Sequence, residues 1–168
     1  MTKKINSDFM SAVLEESAWK EISSEFLWTE HLLEKYRNQV DWKAVSGNSN
    51  MLWTSSMLEK FKSSIDWKEL SASRNETPFT LENLSKFQDY WDWQELSRSI
   101  SSLEILDKFI DRWDWHEVID NYSLNDYFDR SFLDKYMDYI PMSSLQQSRL
   151  WRDLEEEHAE KLKRQILS

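Results

Sequence analysis

Residues 28–46 read WTEHLLEKYRNQVDWKAVS, and residues 53–71 read WTSSMLEKFKSSIDWKELS. The two stretches share a Trp-Thr pair, a Leu-Glu-Lys-aromatic tetrad and an Asp-Trp pair, in one register and 25 residues apart. A period of this size marks an array of one supersecondary unit that cannot bury its apolar face alone. The tetrad's leucine slot is Leu33, Leu58, Leu84, Leu106 and Leu133; nine residues after each stands Trp42, Trp67, Trp93, Trp115 and, in the last copy, Met142. A degenerate first copy puts Met10 in the leucine slot and Trp19 nine residues on. The slots are 23, 25, 26, 22 and 27 residues apart while the internal distance stays at nine, so the variation belongs to loops.

The residues around each slot predict two short helices per copy. Four places before the leucine stand Asn6, Thr29, Thr54, Thr80, Ser102 and Asp129, all able to cap the orphan amides of a first turn. Eight places after it stand Asp41, Asp66, Asp92 and Asp114. Three of these have Glu69, Glu95 or Glu117 three residues on, the spacing of a capping box. Val40 with Val45, Ile65 with Leu70, Trp91 with Leu96, Trp113 with Val118 and Ile140 with Leu145 have the spacing of a hydrophobic staple around the second helix. Pro141 takes the aspartate slot in the last copy. Helices this short are marginal alone, so the copies must stack on one another, and the tryptophans are the natural filler between layers. A cage for a ligand or a nucleobase is the other use such a ladder has.

The expected architecture is therefore all-α: a short α-solenoid of about six two-helix repeats, each of about 25 residues, with a longer C-terminal capping helix. The repeat array covers residues 1–142, with copies at 6–22, 29–47, 54–72, 80–98, 102–120 and 129–142. In residues 143–168, Leu150, Trp151, Leu154, Leu162 and Ile166 recur at helical spacing, with Glu157–Lys161 and Glu160–Arg164 as supporting pairs. That helix either caps the last copy or docks to a partner.

Composition agrees. One glycine and two prolines in 168 residues are too few breakers for an all-β chain. No cysteine is present, which excludes disulfides and thiolate metal sites. The opening MTKKINSDFM lacks the apolar run of a secretory signal, and no stretch is apolar enough to span a membrane. A cytoplasmic location is the expectation. Net charge is −10, which discourages direct contact with nucleic acid or an anionic membrane. Residues 76–140 hold 15 acids against six bases, net −9, so nearly all the excess lies there.

The motif WTxxLLEKYxxxhDWxxLS resembles tryptophan-rich helical repeats of uncharacterised bacterial and viral proteins. The resemblance covers about residues 26–140. It implies a helical repeat fold and brings no activity with it.

No catalytic, cofactor-binding or metal-ligating set emerges. The Asp-Trp carboxylates are one repeat apart, about 10 Å in stacked helices, and each has a capping task. His31, His116 and His158 are scattered, with no ligand spacing around them. The triplets Asn75-Glu76-Thr77, Asn83-Leu84-Ser85 and Asn121-Tyr122-Ser123 match a glycosylation acceptor by chance. Lys35, Lys60, Lys86, Lys108 and Lys135 form a ridge diluted by the acid before four of them, which reads as mixed charge.

The acids are the better candidate. Five places after the leucine stand Asn38, Ser63, Asp89, Asp111 and Asp138, neutral early and acidic late. Glu104 and Asp126 lie nearby in sequence, with Tyr122, Tyr127 and Tyr139 among them. This set predicts a non-enzymatic module that binds a basic protein surface. The alternative is a nucleic-acid-mimic inhibitor, of the kind phages use against nucleases, occupying the positive groove of a nucleic-acid-binding enzyme. A bland use of the same charge is to keep a tryptophan-rich array in solution.

Overall fold

A computed structural model describes residues 7–167, and among these it contains helices and no strand. The chain divides into two compact units, Met1–Asp92 and Trp93–Ser168. The first holds α1 (Ser7–Glu25), α2 (Glu30–Lys35), α3 (Trp42–Gly47), α4 (Ser55–Phe61), α5 (Trp67–Ala72) and α6 (Leu81–Lys86). The second holds α7 (Trp93–Ser97), α8 (Leu103–Lys108), α9 (Trp115–Val118), a 3-10 helix (Tyr122–Tyr127), α10 (Arg130–Tyr136), α11 (Met142–Gln147) and α12 (Arg149–Leu167).

The helices begin where their capping residues stand. Thr29, Thr54, Thr80 and Ser102 each accept the backbone N–H three residues on, at 3.2–3.3 Å. Asp129 accepts from Phe132 at 2.8 Å. Asp41, Asp66 and Asp114 cap the second helices of their copies, each with an amide at 3.0 Å. Asn6, the cap expected for the first copy, lies outside the described residues. All five staple pairs are buried, as are the slot leucines Leu33, Leu58, Leu84, Leu106 and Leu133.

The first copy departs from the two-helix expectation, because α1 is one continuous helix from Ser7 to Glu25. Where other copies turn between their helices, this copy has Leu14, Glu15, Glu16, Ser17 and then Ala18 in the aspartate slot. Leu, Glu and Ala are good helix formers, no aspartate stands at 18, and Ser17 makes no capping bond, so the helix runs on. The end of the array also shifts. Residues 142–147 form α11, the second helix of the last copy, and the long helix expected from 143 opens only at Arg149. Ser148 makes that break: its hydroxyl donates to Leu145 O at 2.6 Å and accepts from Trp151 N at 3.2 Å.

The capping box proves half right. The aspartate caps its helix, but its own N–H does not go to the glutamate three residues on. It goes to a serine of the preceding copy. Asp41 N donates to Ser23 Oγ, Asp66 N to Ser46 Oγ and Asp92 N to Ser71 Oγ, each at 3.0 Å, and Asp114 N to Ser97 Oγ at 2.9 Å. The freed glutamates pair sideways instead: Glu69 with Lys43 at 2.9 Å, and Glu117 with Arg98 at 2.8 Å.

A ring ladder runs beside this polar one. Each tryptophan nine places after a slot packs on the tetrad aromatic of the following copy: Trp19 on Tyr36, Trp42 on Phe61, Trp67 on Phe87, Trp93 on Phe109 and Trp115 on Tyr136. Centroids are 5.2–5.7 Å apart with tilts of 35–46°, within the range where aromatic pairs gain about 0.5–1.5 kcal/mol beyond burial. The indole N–H of Trp42, Trp67 and Trp115 donates to the carbonyl of Arg37, Lys62 and Ile110, at the end of its own copy's first helix. The tryptophans are thus engaged in packing between copies, Trp115 buried and Trp19, Trp42, Trp67 and Trp93 half-buried. Within the first unit α1 packs on α3 and α3 on α5; within the second α7 packs on α9 and α11 on α12.

Candidate partner-binding site

The tetrad lysines show which charges the fold itself uses. Lys60 reaches Glu30 and Glu34 at 3.4 and 3.5 Å, Lys86 reaches Glu59 at 3.3 Å, and Lys135 reaches Asp107 at 2.7 Å. Each lysine thus meets acids of the preceding copy and also lies over its own tetrad ring, 5.0–5.7 Å from the centroid. The ridge is therefore mixed in charge and largely neutralised where these pairs form. Burial works against the Asp107 carboxylate, but hydrogen bonds from Lys135 and from the Tyr136 hydroxyl outweigh it and hold its pKa below the ordinary value. Arg98, bonded to Glu117 and Glu95, is held above the ordinary guanidinium range.

The acids singled out by the sequence behave differently. Glu104, Asp111, Asp126 and Asp138 are all exposed, and among the described residues none of them makes a hydrogen bond or ion pair. Asp111 and Asp138 occupy the same turn, just after α8 and α10, in successive copies of the second unit. Glu104 lies in the first turn of α8. Asp126 lies in the 3-10 helix between Tyr122 and Tyr127, both exposed, Tyr122 to 84%. Tyr139 follows Asp138 and stacks on Trp115, with centroids 5.5 Å apart and planes at 27°. Asp89 belongs to the first unit, where it is exposed in the equivalent turn after α6. The structure therefore gathers seven of the eight candidates in one unit and places Asp89 in the other.

The sequence reading missed a set of buried asparagines. Asn48 Nδ2 donates to Ser23 O and Phe26 O at 3.0 and 2.8 Å. Asn75 Nδ2 donates to Asn48 O and Met51 O, and Asn121 Nδ2 to Ser97 O and Ile100 O. Their Oδ1 atoms accept from Asn50 N, Thr77 N and Ser123 N two residues on, which makes each an Asx turn. Two of the glycosylation-like triplets are therefore structural. Asn75 and Asn121 are buried, and a small polar residue follows two places on because the turn wants one.

Among the described residues no group of three or more histidines and carboxylates could hold a metal ion, and no helix is long and apolar enough to cross a membrane. No protein family, curated protein or solved structure matches the chain. The likeness to tryptophan-rich repeats rests on the motif itself.

Proposed function

We propose that this chain is a non-enzymatic scaffold of the short α-solenoid type that binds a basic protein surface through the acidic, aromatic flank of its second unit. The observation that carries the reading is a division of labour among carboxylates. Asp107, Glu117 and Asp134 are committed to ion pairs with Lys135, Arg98 and Arg130, while Glu104, Asp111, Asp126 and Asp138 stay exposed and unpaired. These acids carry charge that no cation of the fold answers, so a partner's cations are their natural complement. Tyr122 and Tyr127 add exposed rings of the type enriched at interfaces.

Tagged protein recovered from its native lysate, washed at low and then high salt, tests the reading. A basic partner that is released by salt, and lost when Asp111, Asp126 and Asp138 are all changed to lysine, supports it. Recovery of a nuclease or another nucleic-acid-binding enzyme would favour the mimic form of the same idea. Unchanged partner affinity in the triple variant would overturn the flank as the site.

A further inference from the structure

Helix α12 is an arm without cover. Of its residues only Leu150 is buried, and every residue from 155 to 167 is exposed. A lone helix of ~12–15 residues is marginal in water. Its open side is largely apolar, with Glu155 tied to the Trp151 indole N–H at 2.8 Å. Trp151, Leu154, His158, Leu162 and Ile166 follow one another at steps of three, four, four and four, which draws one stripe along the helix. The stripe walls a groove of about 420 Å³ whose opposite side is formed by Arg130 and Leu133.

We propose that this stripe is the contact face for α12 of a second copy of the chain, packed antiparallel. Two features of the helix select that occupant. The first is spacing. A two-fold axis close to His158 sets Leu154 against Leu162, and Trp151 against Ile166, so the stripe is complementary to its own reverse. The second is charge. Residues 153–160 hold five acids and no base, whereas residues 161–164 hold three bases and no acid. On one flank of the stripe the antiparallel register brings Glu157 opposite Lys161 of the second copy. A parallel pair would set acid against acid and base against base, which is destabilising at facing positions.

Glu157 and Lys161 have the spacing for a pair within their own helix, yet they make none, and both are exposed. They remain available across the axis. The groove beside the stripe gives the incoming helix a floor at Leu133, so the contact is more than two bare helices. This inference is independent of the acidic flank, which uses other residues.

The test is the mass of the full chain in solution across a concentration series. The dimer predicts a rise from 20.4 kDa to twice that value. Leu162→Glu places a carboxylate in the contact on both sides of the axis. It should raise the dissociation constant on the order of 100-fold or more, and because Leu162 is exposed in the single chain the far-ultraviolet spectrum should not change. Orientation is read by cross-linking, since the chain has no cysteine of its own. His158→Cys should link to itself through a short thiol-reactive spacer. Ile166→Cys should not, because antiparallel packing separates the two copies of that residue by about 24 Å at 1.5 Å rise per residue. Equal self-linking at both positions means a parallel pair and overturns the proposal. So does a single mass of 20.4 kDa at every concentration, which would leave the stripe to a different helix or a small apolar ligand.

Discussion

The side-chain oxygen of Ser97 accepts the backbone N–H of Asp114 at 2.9 Å, while its own hydroxyl donates to Trp93 O at 2.6 Å. The same pair of bonds recurs at Ser46 and Ser71, so the end of one copy's second helix satisfies the first amide of the next. One junction lacks the device. There the serine slot holds Ile119 and the aspartate slot holds Pro141. Proline has no N–H to give, so a hydroxyl facing it would have nothing to accept, and an apolar side chain, buried here, takes the place.

That relationship makes the first prediction. Ser46→Ala strands the buried amide of Asp66 and should cost about 1–3 kcal/mol, read as a lower midpoint in urea unfolding. Ile119→Ser should also destabilise, by about 2–4 kcal/mol from lost apolar packing, because Pro141 cannot repay the new hydroxyl. Midpoints unchanged for Ser46→Ala and Ser97→Ala alike would show that the serine bonds contribute nothing.

Much of this fold was legible because its rules are local. A cap and its amide are three residues apart, and a staple spans five, so Thr54, Asp66, Ile65 and Leu70 declare themselves in a window of sequence. Ser46 and Asn75 do not, because their partners lie 20 to 27 residues away in the neighbouring copy. Taken alone they read as loop polarity. A signal was present: the serine recurs at 23, 46, 71 and 97, thirteen places after each of the first four slots, and lapses at 119, where the next copy brings proline. The continuous α1 was half legible, in the alanine at the aspartate slot, while Ser17 beside it is a residue of capping type. The candidate flank was legible as charge, but not as unpaired charge. That distinction depends on which acids the neighbouring copy's cations reach.

The buried asparagines supply the second prediction. Asn121 holds two carbonyl oxygens with its amide nitrogen, at 3.0 and 2.8 Å. Asn121→Asp removes both donors and leaves a carboxylate facing two carbonyls. Burial and that repulsion disfavour the charged form and raise the new group's folded-state pKa above its unfolded value. The variant should therefore lose stability as pH rises through the carboxylate range and recover part of it on acidification. The cost at neutral pH should be about 3 kcal/mol or more. Thermal melts at about pH 4, within the ordinary carboxylate range, and at about pH 7, well above it, check it; equal losses at both values would sink the account.

Two tryptophans differ in a way that mutation can weigh. The Trp113 indole N–H donates to Leu106 O at 2.9 Å, whereas the Trp53 nitrogen is buried with no partner among the described residues. Both rings are nearly inaccessible. Trp→Phe opens a similar void at either site, but only at Trp113 does it also orphan a carbonyl. Trp113→Phe should therefore cost more than Trp53→Phe, by about 1–2 kcal/mol. Chemical denaturation of the two variants decides it, and the reverse order would mean that the Trp53 nitrogen makes a bond in solution.

The unpaired acids bear on stability as well as on binding. Glu104, Asp111, Asp126 and Asp138 touch no cation in the fold, so reversing them removes repulsion and breaks no bond. Asp111→Lys with Asp126→Lys should leave the melting temperature unchanged or slightly raised at low salt, within about 0.5 kcal/mol per site. Asp107→Asn differs in kind, since it removes the charge and leaves one oxygen where two accept from Lys135 and the Tyr136 hydroxyl. The exposed pair with the lysine is worth little, about 0–1 kcal/mol. The tyrosine ring is buried, however, and exchanging its charge-assisted bond for a neutral one should bring the total to about 1–2 kcal/mol. Because Asp107's folded pKa is depressed, its contribution is present above the unfolded carboxylate range and fades as pH falls through the folded value. The Asp107→Asn penalty should accordingly be full at neutral pH and shrink in acid, while the flank reversals show no such penalty at any pH. A destabilisation by Asp111→Lys as large as that of Asp107→Asn would mean that the flank belongs to the fold and was never free for a partner.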